Sequence, residues 1–561
     1  HLASRRQRQM CIRDRYISFF SNFSLAVEQV VTSHPLATKV GEQILEDGGN
    51  AYDAAVGISA ALSVVEPFAS GLGGGGFWLM HNKKTNKYIF VDARETAPEK
   101  VSLDMFLDRN GNHIKKASRD GPLAAGIPGT PAALCFISEN YGSIPLANLL
   151  QPAIKYAEHG FQVDERYIKG AKYKSKLLLK YPASSAIFLD QEKVPELGWV
   201  LYQKDLAQTL RNIGKLGFKG FYSDGIAEKL VSAVNKDGGV WTEKDLTKYK
   251  IINREPIIFS YKNNKIITPN LPSAGGLMLQ YILNNMAKYE KIKLSTLEMK
   301  HLIIELLKRA YFLRNLTMGD PDFSKKEFNI NQRIDFLTNN MPKIKLNISS
   351  ELNSFPKSQP TTGGEGRDTT HFAVVDKFGN KVAVTQSINF WFGSGFVAKN
   401  TGVLLNNEMD DFLFNQADNN KIIPNSIQPN KRMLSSMTPM IIESERGYAI
   451  LGTPGGKRIV SMVLLAALDW MNGGDAKSML SIPRYHHQFF PNHVLYEESA
   501  LSLSEIETLK AMGHKLKKSK RLYGNMQIIT WDEKTKKIEK ASDPRAQPKN
   551  CLLYTSDAAD D

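Results

Sequence analysis

Apolar positions first recur with a helical period after Ser33: Ala37, Val40, Ile44 and Leu45, with Gly41 on the same face, before Gly48-Gly49 ends the pattern. A run of small residues from Asp53 to about Val65 predicts a second helix that stops before Pro67. The glycine-dominated stretch Gly71 to Phe77 then leads into a strand-like Trp78 to Met80, and a further strand over Lys87 to Asp92 ends at Arg94, just before a helix-like stretch. Gly126 to Pro131 reads as a turn ahead of a helix near Ala132 to Asn140. Leu146 to Asn340 is mainly helical in pattern, broken by a loop at Pro269 to Gly276, and Lys343 to Arg367 is a polar connector ending in strong turn formers. The period then changes to two. His371 to Asp376 and Lys381 to Ser387 alternate on either side of a Lys377–Asn380 turn, which predicts a β-hairpin with Asp368-Thr369-Thr370 at its mouth. Near the C-terminus a strand over Tyr448 to Leu451 runs into Gly452-Thr453-Pro454-Gly455-Gly456, followed by a helix from about Arg458.

Composition adds bounds to this pattern. With 561 residues and 42% hydrophobic content the chain can build a sizeable core, and its longest apolar stretches, such as Met462 to Leu468, are too short to span a bilayer, so no integral membrane span is expected. The net charge of +15 comes from lysines spread along the chain, the tightest cluster being Lys515, Lys517, Lys518, Lys520 and Arg521. No zinc-finger, RNP or basic-helix pattern accompanies them, so no nucleic-acid partner is expected and the charge reads as a solvated surface. Residues 1–26 and 551–561 stand apart. The outermost parts read as translated adaptor sequence, and Tyr16 to Ala26 reads either as an irregular segment or as the remnant of a secretory signal cleaved after Ala26. Cys11 and Cys551 lie in those ends, which leaves Cys135 alone and no disulfide framework.

Several chemistries are excluded by spacing. The glycine loop at residues 71–76 lacks a following Gly-Lys-Ser/Thr and precedes a strand, so it is no phosphate loop. Adjacent Asp410 and Asp411 would point to opposite faces of a strand, His486-His487 lack metal-ligand spacing, and there is no Gly-x-Ser-x-Gly elbow. No metal and no cofactor are therefore expected. Asp368-Thr369-Thr370 before a strand reads either as a turn whose hydroxyls bond nearby backbone or as a latent nucleophile at Thr369. Inside a chain its hydroxyl has no base beside it, but a cut before Thr369 would put a free α-amine, with a reference pKa of about 7.7–8.0, on the same residue as the hydroxyl. Gly455 and Gly456, at a strand-to-helix turn, could offer backbone N–H groups to an oxyanion. Arg94, at a strand's end, is either a surface ion pair or a planar fork for a carboxylate.

Taken together, the stretches GGNAYDAAV, GLGGGGF, VDARETAP, the GTP turn, TTHFAVVD, LLNNEMDDF, LSSMTP, GTPGG, PRYHHQ and ASDPR resemble, in order, the gamma-glutamyltransferase (gamma-glutamyl transpeptidase) family of N-terminal-nucleophile hydrolases, over nearly all of Ser33 to Arg545. The resemblance implies an α+β fold, a four-layer α-β-β-α sandwich of two intertwined subunits from one precursor. A large subunit would span 27–368 and a small one 369–550, parted by self-cleavage between Asp368 and Thr369. It implies Thr369 as nucleophile, Ser387 as its hydroxyl partner where the family has a threonine, and Gly455 and Gly456 as oxyanion donors. Arg94, Ser435 and Ser436 would hold the substrate's α-carboxylate, and Asn389, Glu408 and Asp411 its α-ammonium. The implied substrates are glutathione and other γ-glutamyl compounds, with water, amino acids or peptides as acceptors, in a periplasmic or secreted bacterial setting. Met433 replaces a proline common before Leu-Ser-Ser, and the segment from Phe412 to Pro429 is short and lacks tyrosine, which implies an altered turn and a more open site. The rival readings are a cephalosporin (glutaryl) acylase on the same scaffold, which the retained Asn389, Glu408 and Asp411 argue against, and an uncut γ-glutamyl peptide binder.

Overall fold

The computed structural model describes residues 28–324, 329–352, 369–414 and 423–545; the N-terminal segment 1–26, the expected cleavage residue Asp368 and the tail 551–561 lie outside them. Helices and sheets are mixed along the chain. One six-stranded sheet has the order Gln29–Val31, Thr369–Val375, Lys381–Ser387, Gly75–Asn82, Lys87–Ala93, Ile252–Arg254. A second has the order Lys537–Ser542, Gln527–Asp532, Gly447–Gly452, Met440–Ser444, Asn264–Thr268, Ile257–Tyr261. All neighbouring strands in both are antiparallel.

Alternation within the first sheet sorts its side chains into two cores. Phe372, Val374, Trp78 and Met80 join a cluster with the helix Ala51–Val65, whereas Ala373, Val375, Phe77 and Leu79 join one with Ile441, Ile450 and the helix Ile459–Met471. The hairpin strands are thus buried on both faces rather than half-exposed, and the two sheets meet through the Thr369–Val375 and Lys381–Ser387 strands against the Gly447–Gly452 and Gln527–Asp532 strands.

One residue fastens the hairpin to the helix beneath it. Asp376 Oδ1 accepts the N–H groups of Phe378 and Asn380, closing the turn, while its Oδ2 accepts the Ala51 N–H at the start of the helix Ala51–Val65. That helix begins with a capping box between Asn50 and Asp53, which satisfies donors its first turn would otherwise leave bare. Both helices expected near the N-terminus form, at Pro35–Glu46 and Ala51–Val65.

Two stretches differ from the pattern reading. After Arg94 no α-helix follows: Thr96 bridges Ile127 and Arg432, and the Ala97 N–H donates to Lys431 O at 2.8 Å. Pro98 disfavours helical backbone at the residue before it, and the freed groups bond across to other segments. The largely helical region from Leu146 also contributes five strands: Phe161–Gln162 and Val200–Leu201 pair with each other, Ile252–Arg254 joins the first large sheet, and Ile257–Tyr261 and Asn264–Thr268 join the second.

His371 shares a strand face with Thr369, is fully buried, and has its Nδ1 2.8 Å from Thr385 Oγ1. Burial pushes its pKa from 6.5 down to about 3. Between those two values the unfolded chain binds a proton that the folded chain does not, so stability falls as pH falls, by about 1.4 kcal/mol per pH unit from this group. The melting temperature should therefore drop on acidification below about pH 6.5, and His371→Gln should flatten that dependence. A thermal-melt series with the same slope in both proteins would contradict the assignment.

Candidate active site

Equal hairpin arms, Thr369–Val375 and Lys381–Ser387, set Thr369 directly opposite Ser387 in register. A one-residue slip would turn both side chains to the other face. Thr369 Oγ1 lies 3.3 Å from Ser387 Oγ, which in turn accepts the Asn389 N–H at 2.8 Å. Asn389 has φ of 75°, a left-handed conformation that asparagine tolerates better than most residues, and it bends the chain just beyond the strand. The glycine loop before Gly75–Asn82 packs behind this pair. A Cβ on Gly74 would stand 2.1 Å from Ser387 O, so only glycine fits there.

Asn406 ties the next part of the site together. Its Nδ2 donates to Gly73 O and Gly126 O at 2.7 and 2.8 Å, and its Oδ1 accepts the N–H groups of Gly126 and Glu408 at 3.0 Å. This joins the glycine loop, the turn before the helix Thr130–Tyr141 and the 3-10 turn Glu408–Asp411. On that turn Asp410 and Asp411 diverge, as adjacent residues should. Asp410 takes bonds from Ser118 and Arg119, and Asp411 faces Arg94.

Arg94 is 1% exposed. Its Nη2 donates to Asp411 Oδ2 at 2.6 Å, its Nε to Met433 O at 3.2 Å and its Nη1 to Glu95 Oε2 at 3.3 Å, while Glu408 Oε2 makes a charge contact with Nη1 at 2.7 Å that is out of line for a hydrogen bond. The ion pairs of Arg94 are buried rather than at the surface. Burial alone would lower the pKa of the guanidinium, but Glu408, Glu95 and Asp411 outweigh it and the net shift is upward. Burial pushes Glu95 up to about 7 against the pull of Arg94. It also pushes Glu408 well above the ordinary carboxyl range, helped by the neighbouring Glu95 and Asp411 carboxylates.

The Leu434-Ser435-Ser436 segment is held by the loop recognised as a helix interruption at Pro269 to Gly276. Ser435 N–H donates to Pro272 O, Ala274 N–H to Ser435 O, and Ser273 Oγ to Met437 O. Met433, at the family's usual proline position, is buried in a small cluster with Met409 and Phe412, and its carbonyl serves Arg94. Across the site, Gly455 and Gly456 have φ of 144° and 57°, both in the region that favours glycine, just before the helix Ile459–Met471.

These segments converge on one open cleft. Thr369, Ser387, Asn389, Arg94, Glu408, Asp411, Ser435, Ser436 and Gly456 all line it. Gly455 lines a neighbouring pocket instead, with Arg458, His486 and His493. Arg314, Met437, Lys457 and Ile459 also line the cleft and were not singled out from sequence. For Arg314 the available signal was an arginine closing a long helix, which is ordinarily read as a favourable charge at a helix C-terminus. Among the described residues no group of three or more His, Cys, Asp or Glu side chains could hold a metal ion.

A hydroxyl pair at the mouth of a buried hairpin thus shares its cleft with a glycine turn and a set of mixed charges. The family model Gamma-glutamyltranspeptidase matches residues 37–552, and the chain belongs to that family. Similar proteins include the glutathione hydrolase proenzyme of Pseudomonas sp. (strain A14), 38% identical over 499 residues that span 87% of this chain and 86% of that protein. The glutathione hydrolase proenzyme of Escherichia coli (strain K12) is 36% identical over 525 residues, 91% of this chain and 89% of that one. Among solved structures, the cephalosporin acylase from Bacillus halodurans superposes with a TM-score of 0.78 at 26% identity, covering 92% of this chain and 95% of that chain. The gamma-glutamyltranspeptidase of Helicobacter pylori superposes with a TM-score of 0.52 at 37% identity, covering 61% of this chain and 96% of that chain.

Proposed function

We propose that the protein is a self-processing γ-glutamyltransferase and glutathione hydrolase, in which Thr369 becomes both nucleophile and N-terminus after the Asp368–Thr369 bond is cut. The observation that carries this reading is the Thr369–Ser387 hydroxyl pair sharing one cleft with Arg94, Glu408 and Asp411. In the reaction, Thr369 Oγ1 attacks the γ-carbonyl carbon as its proton passes to the Thr369 α-amine. The C–N bond then breaks, the leaving amine takes the proton, and a γ-glutamyl ester on Thr369 remains. Water, or the amine of an amino acid or peptide, attacks that ester and restores the hydroxyl. Gly455 and Gly456 are assigned to the oxyanion, Ser435 and Ser436 to the substrate's α-carboxylate together with Arg94, and Asn389, Glu408 and Asp411 to its α-ammonium. Holding a charged head group at a fixed distance from the hydroxyl selects γ- over α-linkage, since an α-linked glutamyl group has no free carboxylate there.

The same reading divides the chain into a large subunit, 27–368, and a small one, 369–550, folded together as a four-layer α-β-β-α sandwich. No helix among the described residues is long and apolar enough to cross a membrane, and a periplasmic or secreted setting is proposed on the strength of the 16–26 segment. Purified protein should release p-nitroaniline from γ-glutamyl-p-nitroanilide and not from the α-linked isomer; failure on the γ-linked compound would overturn the assignment. The Bacillus halodurans likeness raises the acylase alternative, which a glutaryl anilide tests directly. Lacking an α-amine, that compound should be poor, because it leaves Asp411 and Glu408 without their cation.

Ser387→Ala should slow turnover roughly tenfold or somewhat more, the worth of about 1–2 kcal/mol for one hydrogen bond to the nucleophile. Ser387→Thr should keep or raise the wild-type rate, because β-branching narrows the hydroxyl's rotamers. Steady-state kinetics on both variants checks the pair. Equal rates in wild type and Ser387→Ala would remove Ser387 from the mechanism.

A further inference from the structure

The strand face opposite Thr369 carries a second polar set. Thr370, Phe372 and Val374 alternate onto it from one arm of the hairpin and Gln386, Val384 and Val382 from the other, with Thr370 directly across from Gln386. This face packs into the apolar core that holds the helix Ala51–Val65, yet at the rung immediately behind the Thr369–Ser387 pair both residues are polar and both are buried. Each is held from outside the hairpin. Gln386 Oε1 accepts from Ser59 Oγ at 2.5 Å, and its Nε2 donates to Ser70 Oγ at 3.3 Å. Thr370 Oγ1 lies 2.5 Å from Ser33 Oγ, which donates to Glu66 Oε2 at 2.7 Å. A hydroxyl has one proton, and Ser33 gives its own to a carboxylate, so the proton between the two hydroxyls belongs to Thr370. Glu66 is fully buried, and Arg166 Nη1 donates to its other oxygen at 2.5 Å. Burial would raise the Glu66 pKa, but Arg166, His34 and the hydroxyls of Ser33 and Thr370 outweigh it and the net shift is downward, which keeps the carboxylate charged and acceptor-only.

Apolar side chains would fill this rung at lower cost, as they do at the next two. What sets it apart is its neighbour. A cut before Thr369 makes the strand begin at the nucleophile, and a strand that starts at a free chain end frays unless it is tied down. On one side the strand Lys381–Ser387 pairs with it up to Thr369, but on the other the strand Gln29–Val31 pairs only with Ala373, Val374 and Val375. Ser33, two residues beyond that short strand, takes over at Thr370 by its side chain. Resting on the γ-glutamyltransferase reading above, we propose that Thr370, Ser33 and Glu66 are positioning residues: their chain of hydrogen bonds ties down the strand end that self-cleavage creates, and so holds Thr369 Oγ1 and its α-amine at the cleft. None of the three lines the cleft; they act through Thr369.

Thr370→Val tests this directly, because it keeps the β-branched shape and removes only the hydroxyl. In the cut enzyme it should lower the single-turnover acylation rate constant on γ-glutamyl-p-nitroanilide roughly tenfold, with the half-saturating concentration within about twofold of wild type. Ser33→Ala should show the same loss, the double variant no more than either alone, and Thr370→Ser the wild-type rate. Amide hydrogen exchange should be faster in the peptide that begins at Thr369 in Thr370→Val, and unchanged at the turn end of the hairpin. A wild-type acylation rate constant in Thr370→Val would overturn the inference, as would unchanged exchange at the new N-terminus or losses from the two single variants that add. A rise in the half-saturating concentration without loss of rate would mean a general structural role and overturn it too. If Thr370→Val does not fold or is not cut, Ser33→Ala carries the test, with slower acylation and faster exchange at Thr369 as the supporting result and wild-type values as the opposing one. Wild type inactive on the anilide would instead overturn the γ-glutamyltransferase reading, and this inference with it.

Discussion

Thr369→Ala should give a single uncut chain by intact mass, where wild type gives two fragments that meet between Asp368 and Thr369, and its turnover of γ-glutamyl anilides should fall on the order of 10⁴-fold or more. The size follows from the double use of one residue. Without the hydroxyl, the precursor cannot convert its own peptide bond to an ester, so the α-amine that would serve as base is never freed. The nearest other hydroxyl, Ser387 Oγ, sits one strand away, and its backbone remains inside the chain. Thr369→Ser should still cut and keep part of the activity, since it retains the hydroxyl and loses the methyl that restricts its rotamers. A folded wild type that stays whole would refute the self-processing nucleophile.

The second large effect is expected at Arg94. Arg94→Met should lower stability by about 3–5 kcal/mol, because it removes the cation from among Glu408, Glu95 and Asp411 and leaves their charges without compensation. The loss should depend on pH in a defined direction. Burial already raises Glu95 to about 7 and Glu408 well above the ordinary carboxyl range, against the pull of Arg94. Without that pull both folded pKa values rise again. A carboxyl whose folded pKa stands above its unfolded value of 4.5 costs stability increasingly as pH rises above the unfolded value. Denaturant unfolding at pH 5.5 and pH 8 should therefore show the larger deficit at pH 8; an equal deficit at both would mean that the carboxylates are not what Arg94 supports. Arg94→Lys should lie between, since one ammonium cannot reach partners that a planar fork spans.

The sequence by itself determined the parts whose causes are local. Period-two alternation over 371–376 and 381–387, on either side of a turn, gives the hairpin with Thr369 at its mouth. Small residues predict a helix from Asp53 to about Val65, which forms as Ala51–Val65, and ordered motifs name the family. Each follows from interactions among residues a few positions apart, which spacing records. Tertiary structure alone decided that Arg94, Arg314, Thr369, Asp411, Ser436 and Gly456 share one cleft, that Arg94 is spent on Glu95, Glu408 and Asp411, and that 252–268 supplies strands to both sheets. Pro98 turned an expected helix into bridges to distant segments, and Arg314, which sequence did not single out, lines the cleft. Local spacing carries no record of which charges will meet across hundreds of residues. In a low-dielectric interior that meeting decides whether an arginine is a counter-ion or a ligand.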